Sequence, residues 1–115
     1  MNSNNISREL IGASAMPLIL AVLKEGDSYG YEIIQKIYQL SDEKIKWKDG
    51  SLYPVLKKLE NQGLIESYWN TEGVRARRYF KLLPQGETQL QKEFSNWNLV
   101  NTMMSKLCTP RLDSI

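Results

Sequence analysis

GSLYPVLKKLENQGLIESYWNTEGVRARRYFKLL, residues 50–83, is the stretch that decides the fold. Leu52, Val55, Leu56 and Leu59 fall at i, i+3, i+4 and i+7, so one stripe of a helix is apolar and faces a core. Ser51, Tyr53, Lys57, Lys58 and Asn61 lie on the opposite surface. Asp49, Gly50 or Ser51 can cap the start. Pro54 is tolerated only in a first turn, which predicts a helix beginning near Gly50 or Ser51. Gly63 supplies a left-handed stop. Leu64 to Trp69 is β-prone and partly alternating, Asn70-Thr71-Glu72-Gly73 is turn chemistry, and Arg75 to Leu83 returns as a second strand. A helix, a glycine stop and an arginine-rich hairpin, in that order, are how a winged helix-turn-helix domain ends. The expected fold is mainly α with a small β-hairpin.

Charge gathers on the same stretch. Residues 44–81 hold nine cations (Lys44, Lys46, Lys48, Lys57, Lys58, Arg75, Arg77, Arg78 and Lys81) against Asp49, Glu60, Glu66 and Glu72, a net of +5. The whole chain is only +2, so the remainder is −3. Lys57 and Lys58 alone would be an ordinary solvated helix face. A basic half beside an acidic half is the electrostatic footprint of a polyanion site. Strand alternation puts Arg75, Arg77 and Lys81 on one face of the hairpin and Arg78 on the other.

Outward from this stretch, Ile6 to Lys24 is helical in composition, with Pro17 either kinking one helix or starting a second. Gly26-Asp27-Ser28 breaks it, and a new helix begins at about Tyr29, with Ile33, Ile37 and Leu40 on one side and Ile34 and Tyr38 flanking. Ser41 to Lys48 is polar, with Ile45 and Trp47 alternating against lysines; it is either a loop or a short strand that pairs with the hairpin. A last helix runs from Pro84 to about Leu107. Leu90, Phe94, Trp97, Asn101, Met104 and Cys108 step along it as a heptad seam that Val100, Met103 and Leu107 widen. So wide an apolar stripe on a long helix suits a second copy of the chain, the competing expectation being that it folds back on its own domain. The expected division is residues 1–83, a winged helix domain, and 84–115, a dimerisation helix and tail.

Composition narrows the function. With 115 residues, 42% of them hydrophobic, there is room for one domain and a modest core. The longest apolar run, Met16 to Leu23, is too short to span a membrane, and the polar start MNSNNISREL lacks the apolar core of an export signal. A single cysteine, Cys108, excludes an internal disulfide and suits a reducing cytoplasm. The chain has no histidine, so neither a His-based triad nor a His metal ligand exists, and one cysteine cannot make a zinc site. Gly26 and Gly30 are isolated rather than part of a phosphate loop, and Asp42-Glu43 reads as solvated charge. No enzyme, cofactor or metal is expected.

LILAVLKEGDSYGYEIIQKI, DGSLYPVLKKLENQGLIESYW and RRYFKLLPQGETQL, read together from Leu18 to Leu90, resemble the PadR family of bacterial transcriptional regulators. Tyr29-Gly30-Tyr31, Ser51-Leu52-Tyr53-Pro54 and the Arg-Arg-Tyr return strand are specific in combination. The single carboxy-terminal helix is similar to that of the short subfamily, which dimerises through it. The resemblance implies a homodimer on palindromic operator DNA, more often repressing. Some members repress multidrug transporter genes and bind flat hydrophobic compounds at the dimer centre, beside a Phe-x-x-Trp step that is Phe94 and Trp97 here. Leu83 stands where the family often has a Thr cap. Asn101 stands where drug-binding relatives can carry an acid, which removes a basis for selecting cationic drugs.

The candidate DNA-contacting residues are Tyr29, Ser51, Leu52, Tyr53, Lys57, Lys58, Arg75, Arg77 and Arg78. The 50–62 helix is expected in the major groove, and the 70–75 wing tip at the neighbouring backbone. The candidate dimer interface is Leu90, Phe94, Trp97, Val100, Met104 and Leu107. Phe94, Trp97 and Asn101 are the candidate contacts to a planar effector, although Trp97 is equally an ordinary interface core residue. The competing function is a winged helix used as a protein-interaction module.

Overall fold

The computed structural model describes residues 6–109. Residues 1–5 of the polar start and the tail beyond residue 109 lie outside the described residues. Helix α1 (Arg8–Glu25) opens on Ser7, whose hydroxyl accepts the Leu10 N–H at 3.1 Å. Pro17 neither ends it nor starts a second helix; the carbonyl left without a helical donor is that of Ala13, which is exposed to solvent. Strand β1 (Ser28–Tyr29) leads into α2 (Gly30–Leu40), then follow α3 (Asp49–Asn61), β2 (Ile65–Asn70), β3 (Arg77–Leu82) and α4 (Pro84–Cys108).

The three strands form one antiparallel sheet in the order β1-β3-β2. The third strand is therefore not the 41–48 segment but the two residues before α2. β3 is already paired on both edges, by β2 (Ser67 opposite Phe80) and by β1 (Ser28 opposite Phe80), so it offers the 41–48 segment no free edge. After α2, Asp42 and Glu43 both adopt left-handed backbone (φ 55° and 66°) and turn the chain. The stretch beyond then crosses the domain as extended coil with Trp47 buried in the core.

That core is three helices over one sheet face. Ile19, Leu20 and Leu23 of α1, Ile33 and Ile37 of α2, and Leu52, Leu56 and Leu59 of α3 close on Ile65 and Phe80. Leu40, expected beside Ile33 and Ile37, is 69% exposed, because α2 ends there. Helix α3 starts at Asp49, earlier than Pro54 suggested; the Lys48 carbonyl accepts from both Ser51 and Leu52 N–H at 2.9 Å. Pro54 thus sits in the second turn, which is tolerated because it frees only the carbonyl of exposed Gly50.

Helix α4 leaves the body. Its first turns are buried at Gly86 and Leu90, where it packs on α1 and on the root of the hairpin. The radius of gyration is 17.0 Å, against about 13 Å for a compact domain of roughly 100 residues. The heptad spacing predicts Leu90 in an interface between copies. Its own chain covers it instead, leaving it 9% exposed within the core. Beyond it Phe94, Val100, Met103, Met104 and Leu107 are exposed.

Candidate nucleic-acid interface

Three elements converge on one open cleft. It is lined by Tyr29, Gly30 and Tyr31 at the start of α2, by Asp49 and Tyr53 at the start of α3, and by Trp69, Arg75, Ala76, Arg77 and Arg78 of the hairpin. The contact that brings α2 and α3 together is Tyr53 on Gly30. A Cβ on Gly30 would lie 2.9 Å from Tyr53 Cζ and closer still to its hydroxyl oxygen. The glycine of the Tyr-Gly-Tyr step therefore makes room for the tyrosine of the Ser-Leu-Tyr-Pro step.

On the α3 side, Ser51, Tyr53, Lys57 and Lys58 are exposed. Leu52 is not a contact: it is 1% exposed and packs in the core. It belongs to the apolar stripe of α3, which is turned away from solvent, and its neighbours in sequence take the outer face.

On the hairpin side, register sorts the residues. Arg77 lies opposite Asn70, Tyr79 opposite Tyr68 and Tyr29. These share the outer face of the sheet, where Tyr79 stacks on Tyr68 (centroids 5.9 Å, 22° between planes) and meets Tyr29 at 5.2 Å. The Arg77 guanidinium lies 4.4 Å above the Tyr29 ring. Tyr29 thus carries Arg77 as a platform, and the cation is held at the edge of the cleft. The Tyr68 hydroxyl donates to Asp27 Oδ2 at 2.6 Å, tying the hairpin to the turn between α1 and β1. That hydrogen bond to the carboxylate, with a smaller effect from burial, pushes the Tyr68 phenol up to about 12.

Arg78 is on the other face, opposite Trp69, as strand alternation predicts. Its Nη2 donates to Ser67 Oγ at 2.8 Å and stands 3.5 Å from Glu60 Oε1, while Ser67 Oγ donates to Glu60 Oε2 at 2.6 Å. Among the described residues Lys57, Lys58, Arg75 and Arg77 make no ion pair, so their charge stays open to a polyanion.

Trp69 and Asp49 also line the cleft; the sequence offers Asp49 only as a possible cap, whereas Lys48 is the cap residue, and marks neither as a contact. Alternation places Trp69 on the core face with Ile65 and Ser67, but it lies beyond the edge of the core and is 64% exposed. Farther away, Phe94 and Asn101 are exposed and Trp97 is half-buried, stepping along α4 as the heptad predicts. No helix among the described residues is long and apolar enough to cross a membrane.

This architecture has close counterparts. The sequence profile of the transcriptional regulator PadR-like family matches residues 19–92, from the buried half of α1 into α4. A transcriptional regulator from Clostridium thermocellum is 34% identical and superposes with a TM-score of 0.81, covering 90% of this chain and 99% of that one. A PadR family transcriptional regulator from Eggerthella lenta is 29% identical with a TM-score of 0.73, over 90% of this chain and 88% of its own. An uncharacterised protein from Lysinibacillus sphaericus is 29% identical over 94 residues, 80% of this chain and 85% of its own. The chain belongs to the transcriptional regulator PadR-like family: it is a DNA-binding regulator of transcription, not an enzyme.

Proposed function

We propose that the protein is a cytoplasmic homodimer that represses transcription by occupying a palindromic operator, and that a flat hydrophobic compound releases it. Helix α3 enters the major groove with Ser51 and Tyr53 nearest the bases and phosphates. Lys57, Lys58, Arg75 and Arg77 neutralise phosphates on either side of it. What supports this docking face most is the cleft between the start of α3 and the wing, bordered by Arg75 and Arg77, which make no ion pair among the described residues.

The two copies meet along α4 through Phe94, Trp97, Val100, Met104 and Leu107, most of which a single chain leaves in water. Trp97 and its counterpart in the second copy form facing walls for a planar ligand, with Phe94 one turn before and Asn101 one turn after. Ring stacking contributes about 0.5–1.5 kcal/mol beyond buried area. Binding there favours one spacing of the two recognition helices over another.

The test is DNA binding as a function of salt. Lys57→Ala, Lys58→Ala and Arg75→Ala are each expected to weaken binding to specific and random duplexes alike and to lower the salt slope by about 1, the signature of one lost phosphate contact. Wild-type slopes in all three variants would mean that DNA does not dock on this face. Absence of salt-dependent binding in the wild type would leave a protein-interaction module.

A further inference from the structure

We infer that Arg78 is a positioning residue that acts through Glu60 of the recognition helix, fixing the wing at the distance from α3 that a specific DNA site requires, rather than a phosphate contact. This rests on the DNA-binding function proposed above.

The geometry separates Arg78 from the other cations of the hairpin. Arg75 and Arg77 are exposed and unpaired among the described residues, with Arg77 laid on Tyr29 at the mouth of the cleft. Arg78 also borders the cleft, but its side chain is on the opposite face of the strand, lies over the Phe80 ring at 5.8 Å and ends on Ser67 and Glu60. Glu60 is in the last turn of α3 and takes both donors, Ser67 Oγ on one carboxylate oxygen and Arg78 on the other. Ser67 lies on β2 and Arg78 on β3, so one carboxylate holds both strands of the wing against the helix. On the outer face the Tyr68–Asp27 hydrogen bond ties the same hairpin to the α1–β1 turn. The wing is thus restrained from both sides, and only on its inner side does the tie run to the helix expected to read bases.

A charge engaged by a carboxylate contributes little to counterion release, because its field is already compensated. Restraint of the wing acts differently. It lowers the ordering cost of binding a site that both elements must fit together, and it matters little for non-specific encounters. An exposed pair of this kind is worth at most about fivefold in an equilibrium constant.

The experiment uses the full-length protein, a duplex selected with it from a random-sequence pool, and a random duplex of equal length. Arg78→Ala and Glu60→Gln are each expected to weaken the selected duplex about threefold to fivefold, leave the random duplex within about twofold, and keep the wild-type salt slope. Arg78→Ala combined with Glu60→Gln is expected to bind no worse than Glu60→Gln alone, since Arg78 acts through that carboxylate. The sign for Glu60→Gln is the decisive readout. Removing an acid near a polyanion should tighten binding if Arg78 contacts phosphate, and should weaken it if Arg78 works through Glu60. Tighter or unchanged binding by Glu60→Gln, or a slope lowered by about 1 in Arg78→Ala on both duplexes, overturns the inference. Arg75→Ala runs alongside as the phosphate reference: a slope change there with none in Arg78→Ala supports the distinction, whereas no salt-dependent binding in the wild type refutes the DNA function itself.

Discussion

Replacing Gly86 by alanine should cost the fold more than any other glycine-to-alanine change in a described helix. The first turn of α4 presses on the start of β2 at this residue. An added Cβ would stand 2.6 Å from Leu82 Cδ1 and 3.0 Å from the Leu64 carbonyl carbon, and nearer still to the carbonyl oxygen. Carbon atoms in contact prefer about 3.5–4.0 Å, so the helix must retreat by roughly 1 Å. Backbone cannot rotate aside as a side chain can. The retreat pulls on the Leu83 N–H, which donates to that same Leu64 carbonyl at 3.0 Å. Overpacking of this kind costs about 1–3 kcal/mol and a weakened hydrogen bond about 1 kcal/mol, against a helix-propensity gain of at most about 1 kcal/mol. The net loss is about 2 kcal/mol, or a fall of about 8–16 °C in thermal midpoint for a domain of this size. Circular dichroism melts at one fixed protein concentration measure it, since self-association also moves the midpoint. Gly50→Ala, where an added Cβ meets nothing within 4 Å, is the control expected to match or exceed the wild-type midpoint, since only the propensity gain applies there. A Gly86→Ala midpoint within about 3 °C of wild type would refute the close approach.

Three further outcomes are expected. Met104→Asp with Leu107→Asp should convert a dimer to a monomer in sedimentation, because a charge in an apolar interface is costly unless paired; a wild-type monomer at micromolar concentration removes the interface. In a folded, dimeric Trp97→Ala protein, planar dyes should bind more weakly, read by fluorescence with Trp47 as the buried reference; unaltered affinity leaves Trp97 as plain interface core. In an ultraviolet titration one of the six tyrosines should ionise late, near pH 12, and Asp27→Asn should return it toward the ordinary value of 10.0. Because Tyr68 holds its proton more tightly folded than unfolded, this contribution to stability is intact below pH 10 and fades as pH climbs from about 10 to about 12. A Tyr68→Phe protein with the same late-titrating phenol would show that another tyrosine is responsible.

Periodic features of the sequence were legible and tertiary contacts were not. The stripe on α3 and the alternation that splits Arg77 from Arg78 repeat over several residues, so local spacing determines which face each residue takes. β1 is two residues long, too short to show alternation, and exists only because β3 has an open edge beside it. Sequence position suggests contacts outside the chain for Leu52 and Leu90, yet both lie on apolar stripes that the fold uses for its own core. The roles of Gly30 and Gly86 depend on what lies opposite them, Tyr53 and Leu64, neither near in sequence. The same holds for Arg78, whose composition-level reading as one more cation is changed by a carboxylate 18 positions away.

The Leu64 carbonyl is also the point at which the wing and α4 meet. The wing strands end and α4 begins within three residues of it in space, with Leu83 bonded to that oxygen and Gly86 seated against it. Helix α4 has 25 residues, about 37 Å at 1.5 Å per residue, so a swing of about 5° about this point carries its far end roughly 3 Å. Read backwards, a displacement of one bond-length or two at the distal methionines reaches the wing as a rotation too small to disturb the core. In the proposed dimer the shortness of the near arm would make the helix a reducing lever: coarse movements between two copies would become fine adjustments of the surface proposed to meet DNA.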